Sequence, residues 1–217
     1  MTKLTILFIT LLPLMTFASE WKLVKEKDGI KIFAKESTES PIKTLKAVGL
    51  INARIENVVA ILRDVKSASS WIPNLIERRY IRNISDTEAI LFDVSDMPWP
   101  VQDRELIVHH KLTLSEDRKS LELNFNSVDD NTISTHIDRV RAKFNLGKIT
   151  FTPKGEQTTI DLEILVDPKG AIPKWLVNIL QVSMPYDFLN SLNIYASSTQ
   201  IKPLPGILKL ILQLKRK

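Results

Sequence analysis

One-sided alternation dominates the middle of this chain and restricts it to a sheet with one greasy face. Between Arg104 and Ser115, Leu106, Val108, Leu112 and Leu114 fall on one side, and Glu105, His109, Lys111 and Thr113 on the other. Successive strand side chains point to opposite faces, so this period of two predicts a half-buried strand. The pattern returns at Leu121, Leu123 and Phe125, at Val140, Ala142, Phe144 and Leu146, and at Ile160, Leu162, Ile164 and Val166. Around Gly147 the phase slips, because Ile149 and Phe151 continue at odd numbers. A β-bulge at the glycine would return them to the common face.

Such a face needs a cover, and the best cover lies near the C-terminus. Trp175, Leu176, Ile179, Leu180, Met184, Phe188, Leu192 and Tyr195 recur at helical spacing, which predicts a long helix over Pro173–Ser198 with a kink at Pro185. Upstream, Asp28-Gly29 between two apolar runs reads as a hairpin turn. Lys43–Ala53 reads as a third strand, and Ile55, Val58, Val59 and Leu62 as an amphipathic helix over Ile55–Val65. The fold class is therefore α+β, with antiparallel strands and a covering helix.

Lys3, the apolar run Leu4–Met15 and the small residues Thr16 and Ala18 have the layout of a secretory signal peptide over residues 1–18. A mainly apolar stretch of twelve residues is short of the roughly 20 that span a bilayer. With no cysteine in the chain, a disulfide scaffold, a thiol nucleophile and a cysteine-held metal are all excluded. Export without disulfides fits the periplasm of a Gram-negative bacterium, or otherwise secretion. The net charge of +5 suits an anionic membrane surface, and no motif points to nucleic acid. His109, His110 and His136 have no metal-ligand spacing, and no nucleophile elbow or phosphate-cradling loop is present. No metal, cofactor or catalytic set is expected.

Two stretches resemble the START (StAR-related lipid-transfer) family. Met97-Pro98-Trp99-Pro100-Val101-Gln102-Asp103-Arg104 is similar to its aromatic-proline loop entering an arginine-bearing strand. Asp167-Pro168-Lys169-Gly170-Ala171-Ile172-Pro173-Lys174-Trp175-Leu176 is similar to its Asp-Pro-Gly-Gly turn and final helix, with Lys169 in place of a glycine. Trp21 with Asp28-Gly29-Ile30, and Trp71, resemble further landmarks in the same order, over about residues 19–200. The resemblance implies a helix-grip fold: a curved antiparallel sheet around a long C-terminal helix, with an internal hydrophobic cavity for one lipid or sterol-like molecule. It implies a lipid carrier or sensor; the lack of a catalytic motif points away from an enzyme, and a monomer is expected. The alternative is a polyketide cyclase or aromatase of the same superfamily.

Arg104 shares its predicted face with Leu106, Val108 and His110, so its guanidinium faces an apolar space and needs a carboxylate, a ligand phosphate or water. Asp93 is its expected partner. The resemblance places acidic and basic residues near Asp93 and His110, and aromatic-cage positions at Phe92 and Leu106; Leu106 departs from that cage and weakens a choline-lipid reading. Trp99, held between prolines, is a candidate for the pocket mouth. Trp71, Ile179 and Met184 complete the candidate ligand-binding set, with ordinary core packing as the alternative for the tryptophans. The final segment, 201–217, is apolar and basic. Ile207–Lys217 either lies on an anionic bilayer or packs along the domain.

Overall fold

The computed structural model of the protein describes residues 20–36, 43–173 and 183–215. The hairpin of β1 (Lys22–Lys27) and β2 (Ile30–Lys35) turns where expected. Asp28 and Gly29 both take positive φ (50° and 75°), the geometry that a two-residue turn between right-twisted strands demands. β3 (Thr44–Ile51) is followed by α1 (Ile55–Arg63) and the short α2 (Ala68–Trp71). A run of strands then follows: β4 (Leu75–Ser85), β5 (Glu88–Ser95), β6 (Asp103–Leu114), β7 (Leu121–Ser127), β8 (Arg139–Arg141), β9 (Lys143–Lys154) and β10 (Gln157–Asp167). α3 (Met184–Ser198) and α4 (Pro205–Leu212) end the described chain. The predicted signal peptide and the first half of the predicted long helix, with Trp175 and Ile179, lie outside the described residues. Pro185 stands in the first turn of α3, where a missing N–H costs nothing.

The strands form one curved sheet in the order β1-β2-β3-β10-β9-β7-β6-β5-β4, antiparallel throughout, with β8 pairing parallel to β6. α3 lies against β2, β3, α1 and α2, burying Tyr186, Leu189, Leu192 and Ala196. It comes close because β3 offers Gly49: a Cβ there would stand 3.2 Å from Ile30 and 3.3 Å from Leu189.

Three local findings differ from the sequence reading. The bulge is not at Gly147. Leu165 pairs with Leu146 and Val166 with Phe144, so Asn145 is the extra residue. Gly147 serves another purpose, since a Cβ on it would sit 2.2 Å from the Phe125 ring. Glycine therefore allows Phe125 to lie flat across β9 and to meet Phe144 edge-on at 5.2 Å.

The outer face of the sheet is not uniformly wet. Phe92, Val94 and Ile107 form a second small core there, covered by Val128 and Ile133 from the segment between β7 and β8. Glu105, 1% exposed, anchors that segment. It accepts two bonds from Arg141 (2.8 and 2.6 Å) and one from the His136 amide at 3.4 Å.

Finally, the terminal segment is docked. Ile207 is fully buried, and α4 packs on α1, so the described part of the tail belongs to the domain.

Candidate functional site

Between the sheet and α3 lies a cavity of about 540 Å³. Its wall is mostly aliphatic and aromatic, with Leu106 on β6, Phe125 on β7, Phe144 and Ile149 on β9, Leu162 and Ile164 on β10, and Met184 and Phe188 on α3. The alternation that defines the strands supplies this lining, because each contributes every second residue.

Polar groups gather in one part of that wall. Arg104 is 5% exposed and lines the cavity, as the alternation predicts. Its expected partner is wrong, however. Asp93 is held by Arg78, whose Nε and Nη2 donate to the two carboxylate oxygens at 2.8 and 2.6 Å. Arg104 instead donates to backbone carbonyls: Nε to Pro168 at 3.0 Å, Nη2 to Lys169 at 3.0 Å, and Nη1 to Gln102. Burial lowers its pKa and the nearby Asp103 opposes that, leaving it cationic. The guanidinium thus clips the Asp167–Gly170 turn onto the start of β6. That turn needs a clip, because Lys169 and Gly170 both adopt positive φ (52° and 68°).

The pairing of Arg78 with Asp93 depends on a broken register in β4. Continuing the pairing set at Ser85–Glu88 would place Tyr80 opposite Asp93. Bulges in β4 shift the strand so that Arg78 faces Asp93. An arginine in a stretch of mixed polarity carries no sequence signal once two bulges intervene.

His110 also reaches the cavity, packing on Phe125 at 5.5 Å between ring centroids. Burial holds its pKa well below 6.5, and the positive charges of Arg78 and Arg63 add to the effect. It is therefore neutral at physiological pH.

The remaining candidates divide. Leu106 and Met184 line the cavity with Arg104, Asp93 and His110. Val108 is on the same strand face but is fully buried in the main core, away from the lining. Phe92 points the other way, into the outer small core, where Arg79 stacks at 4.4 Å from its ring. An aromatic cage at Phe92 and Leu106 is therefore ruled out: Phe92 pairs with Ile107 and Leu106 with Asp93, so the two side chains lie on opposite faces of the sheet. Trp71 is core, 5.5 Å from Phe188 and 6.2 Å from Tyr195 between centroids. Trp99 is 91% exposed and contributes nothing to the wall. Ile179 lies outside the described residues. Among the described residues no group of three or more His, Asp or Glu is arranged to hold a metal.

A match to the START domain family spans residues 16–192. An uncharacterized protein of Pseudomonas aeruginosa is 28% identical over 176 residues, or 81% of this chain and 86% of that protein. The solved STAR-related lipid transfer protein (fragment 25–204) of Xanthomonas axonopodis superposes with a TM-score of 0.74 at 24% identity, covering 82% of this chain and 99% of that one. Human StAR-related lipid transfer protein 5 gives 0.72 at 17% identity, covering 84% and 88%. The superpositions speak for the fold, and the family match for its use in holding lipids and other hydrophobic ligands. On that match, and on a curved sheet that grips a C-terminal helix around an apolar cavity, this chain belongs to the START domain family.

Proposed function

We propose that the protein encloses one lipid or similarly hydrophobic molecule and acts as its carrier or sensor in the cell envelope, performing no chemistry on it. The observation that carries this reading is the cavity itself: about 540 Å³ with a largely apolar wall. Small-ligand sites commonly measure about 300–1,000 Å³ and combine such walls with a few placed polar groups. Apolar parts of a ligand would lie against Phe125, Phe144 and Ile164, and a polar end would meet the Arg78–Asp93 pair and Arg104. Three charged groups in the wall favour holding over reacting: Arg78 and Asp93 satisfy each other, and Arg104 is bound to backbone carbonyls. The envelope location rests on the signal-like start, with Lys3 before Leu4–Met15 and Ala18 at the exit, and on the lack of cysteine.

The test is extraction. Protein incubated with vesicles of phosphatidylcholine and phosphatidylglycerol, then re-isolated by gel filtration, should carry lipid in a one-to-one ratio. Protein that returns lipid-free from vesicles and from its native host sinks the proposal. A cyclase or aromatase would instead turn over a polyketide-like substrate, which this reading predicts it does not.

A further inference from the structure

The terminal helix α4 lies beyond residues 16–192, which the family match covers. It sits at the end of the sheet opposite the Asp167–Gly170 turn. The Gly206 amide donates to Asp86 Oδ2 at 2.7 Å, in the turn between β4 and β5. The Lys215 amide donates to the Arg118 carbonyl at 2.8 Å, in the turn between β6 and β7. Arg104, at the start of β6, clips the other end. β6 therefore runs the length of the cavity wall from one end to the other.

Behind α4 is a second, small cavity of about 30 Å³, lined by Ile207 together with Val59, Leu91 and Phe151. The two cavities share Leu62, His110 and Leu123. One layer of side chains thus separates the main cavity from the space that Ile207 stoppers. Ile207 itself is fully buried, the deepest contact that α4 makes.

The outer side of α4 has the opposite character. Leu204, Leu208 and Leu212 are spaced by four, which puts them on one helical stripe. Leu204 is 39% exposed and Leu212 75%. No acidic residue follows Asp187 in the sequence, whereas Lys202, Lys209, Lys215, Arg216 and Lys217 do. Exposed leucines on a segment that is exclusively cationic match the chemistry of an anionic bilayer surface.

The hinge is also defined. Asn57 donates to the carbonyls of Ala196 (3.2 Å) and Thr199 (2.8 Å) and accepts from the Ile201 amide at 2.9 Å. The chain is pinned through Ile201, and Pro203 and Pro205 follow. The Asn57 bonds that hold the end of α3 stop at Ile201 and do not include α4.

We infer that α4 is a removable plug at this end of the cavity, and that an anionic bilayer surface is the partner that draws it out. The inference rests on the lipid-carrier reading. On the bilayer the leucine stripe inserts, the lysines meet anionic headgroups, and withdrawal of Ile207 leaves only the Leu62–His110–Leu123 layer between the main cavity and the membrane.

The chain has no cysteine, so a paired substitution gives a unique lock. Asp86→Cys with Gly206→Cys suits it: a Cβ on Gly206 stands 2.7 Å from that of Asp86, and a disulfide at about 3.8 Å needs a shift of about 1 Å. Transfer of phosphatidylglycerol between anionic vesicles is measured for this variant oxidised and reduced. The plug predicts that the oxidised form transfers about ten-fold more slowly while holding the same lipid. Equal rates with equal lipid content overturn the plug and leave the carrier intact. Absence of lipid in both forms overturns carrier and plug together. Leu204→Ser with Leu212→Ser, at two exposed positions, should weaken sedimentation with anionic vesicles about ten-fold. Unchanged sedimentation overturns the bilayer as partner.

Discussion

Arg78 and Arg104 line the same cavity, yet the first is neutralised by a carboxylate and the second is held by three backbone carbonyls. Arg78 and Asp93 sit directly opposite each other on β4 and β5, and their side chains are 10% and 7% exposed. Together they present a dipole with no net charge. Arg104 keeps its charge, and its donors organise the turn that leads towards the C-terminal helix. One pair offers polarity to a ligand; the other arginine shapes the enclosure. The cavity wall is therefore more specific in its wiring than its apolar composition implies.

Removing one member of the pair should produce the largest effect. Asp93→Ala leaves Arg78 buried and uncompensated, which typically costs about 3–5 kcal/mol. Urea denaturation should show that loss. Replacing both residues with leucine should return stability to within about 1 kcal/mol of the parent, because neither desolvated charge remains. Near-additive losses instead would mean that the two side chains act separately.

Arg104→Leu should cost less, about 2–3 kcal/mol, since carbonyls beside the exposed Lys169 and Gly170 can find water once the guanidinium is gone. Arg104→Lys should recover only part of it, as an ammonium cannot span three carbonyls as a planar fork does. Full recovery by lysine would show that charge alone matters at this position.

His110 sharpens the contrast through pH. Its folded pKa lies below 6.5, depressed first by burial and then by Arg78 and Arg63. Between that lowered value and 6.5 the unfolded chain binds a proton that the folded chain does not. Stability therefore rises with pH through this window and is level above it. His110→Gln should remove a slope of at most about 1.4 kcal/mol per pH unit below 6.5, measured as thermal stability against pH. Parallel profiles for the two proteins would place the histidine in contact with solvent.

The smallest effect concerns the turn that Arg104 clips. Lys169 stands at φ 52°, a conformation that costs a residue with a Cβ about 1 kcal/mol. Lys169→Gly should stabilise by about 0.5 kcal/mol, offset in part by the lost ion pair with Asp167 at 2.6 Å, which is half-exposed and weak. A clear loss of stability would give that pair more weight than its exposure allows.

The sequence revealed periodic features well and pairings poorly. Alternation assigned Arg104, Leu106 and His110 to the cavity face, and Asp28-Gly29 marked a turn whose two positive φ angles are present. Asp93 was also recognisable as a cavity residue, but its partner depended on bulges that leave no periodic trace. The bulge at Asn145 leaves no distinct mark in the alternation, whereas Gly147 two residues on is conspicuous and attracts the assignment. Its actual cause of selection, the Phe125 ring, lies 22 positions upstream. Phe92, a cage position only by the family resemblance, belongs instead to the outer small core, whose cover from the segment between β7 and β8 has no periodic signal. Ile207 shows the tail docked on the domain in this state, being buried where a free segment would leave it exposed.

Native mass spectrometry of the intact protein, after exposure to phosphatidylcholine and phosphatidylglycerol vesicles, tests the central claim most directly. The account predicts a single adduct of one lipid mass per chain, with no species carrying two. A spectrum showing only the bare chain, from folded protein at saturating lipid, would contradict it.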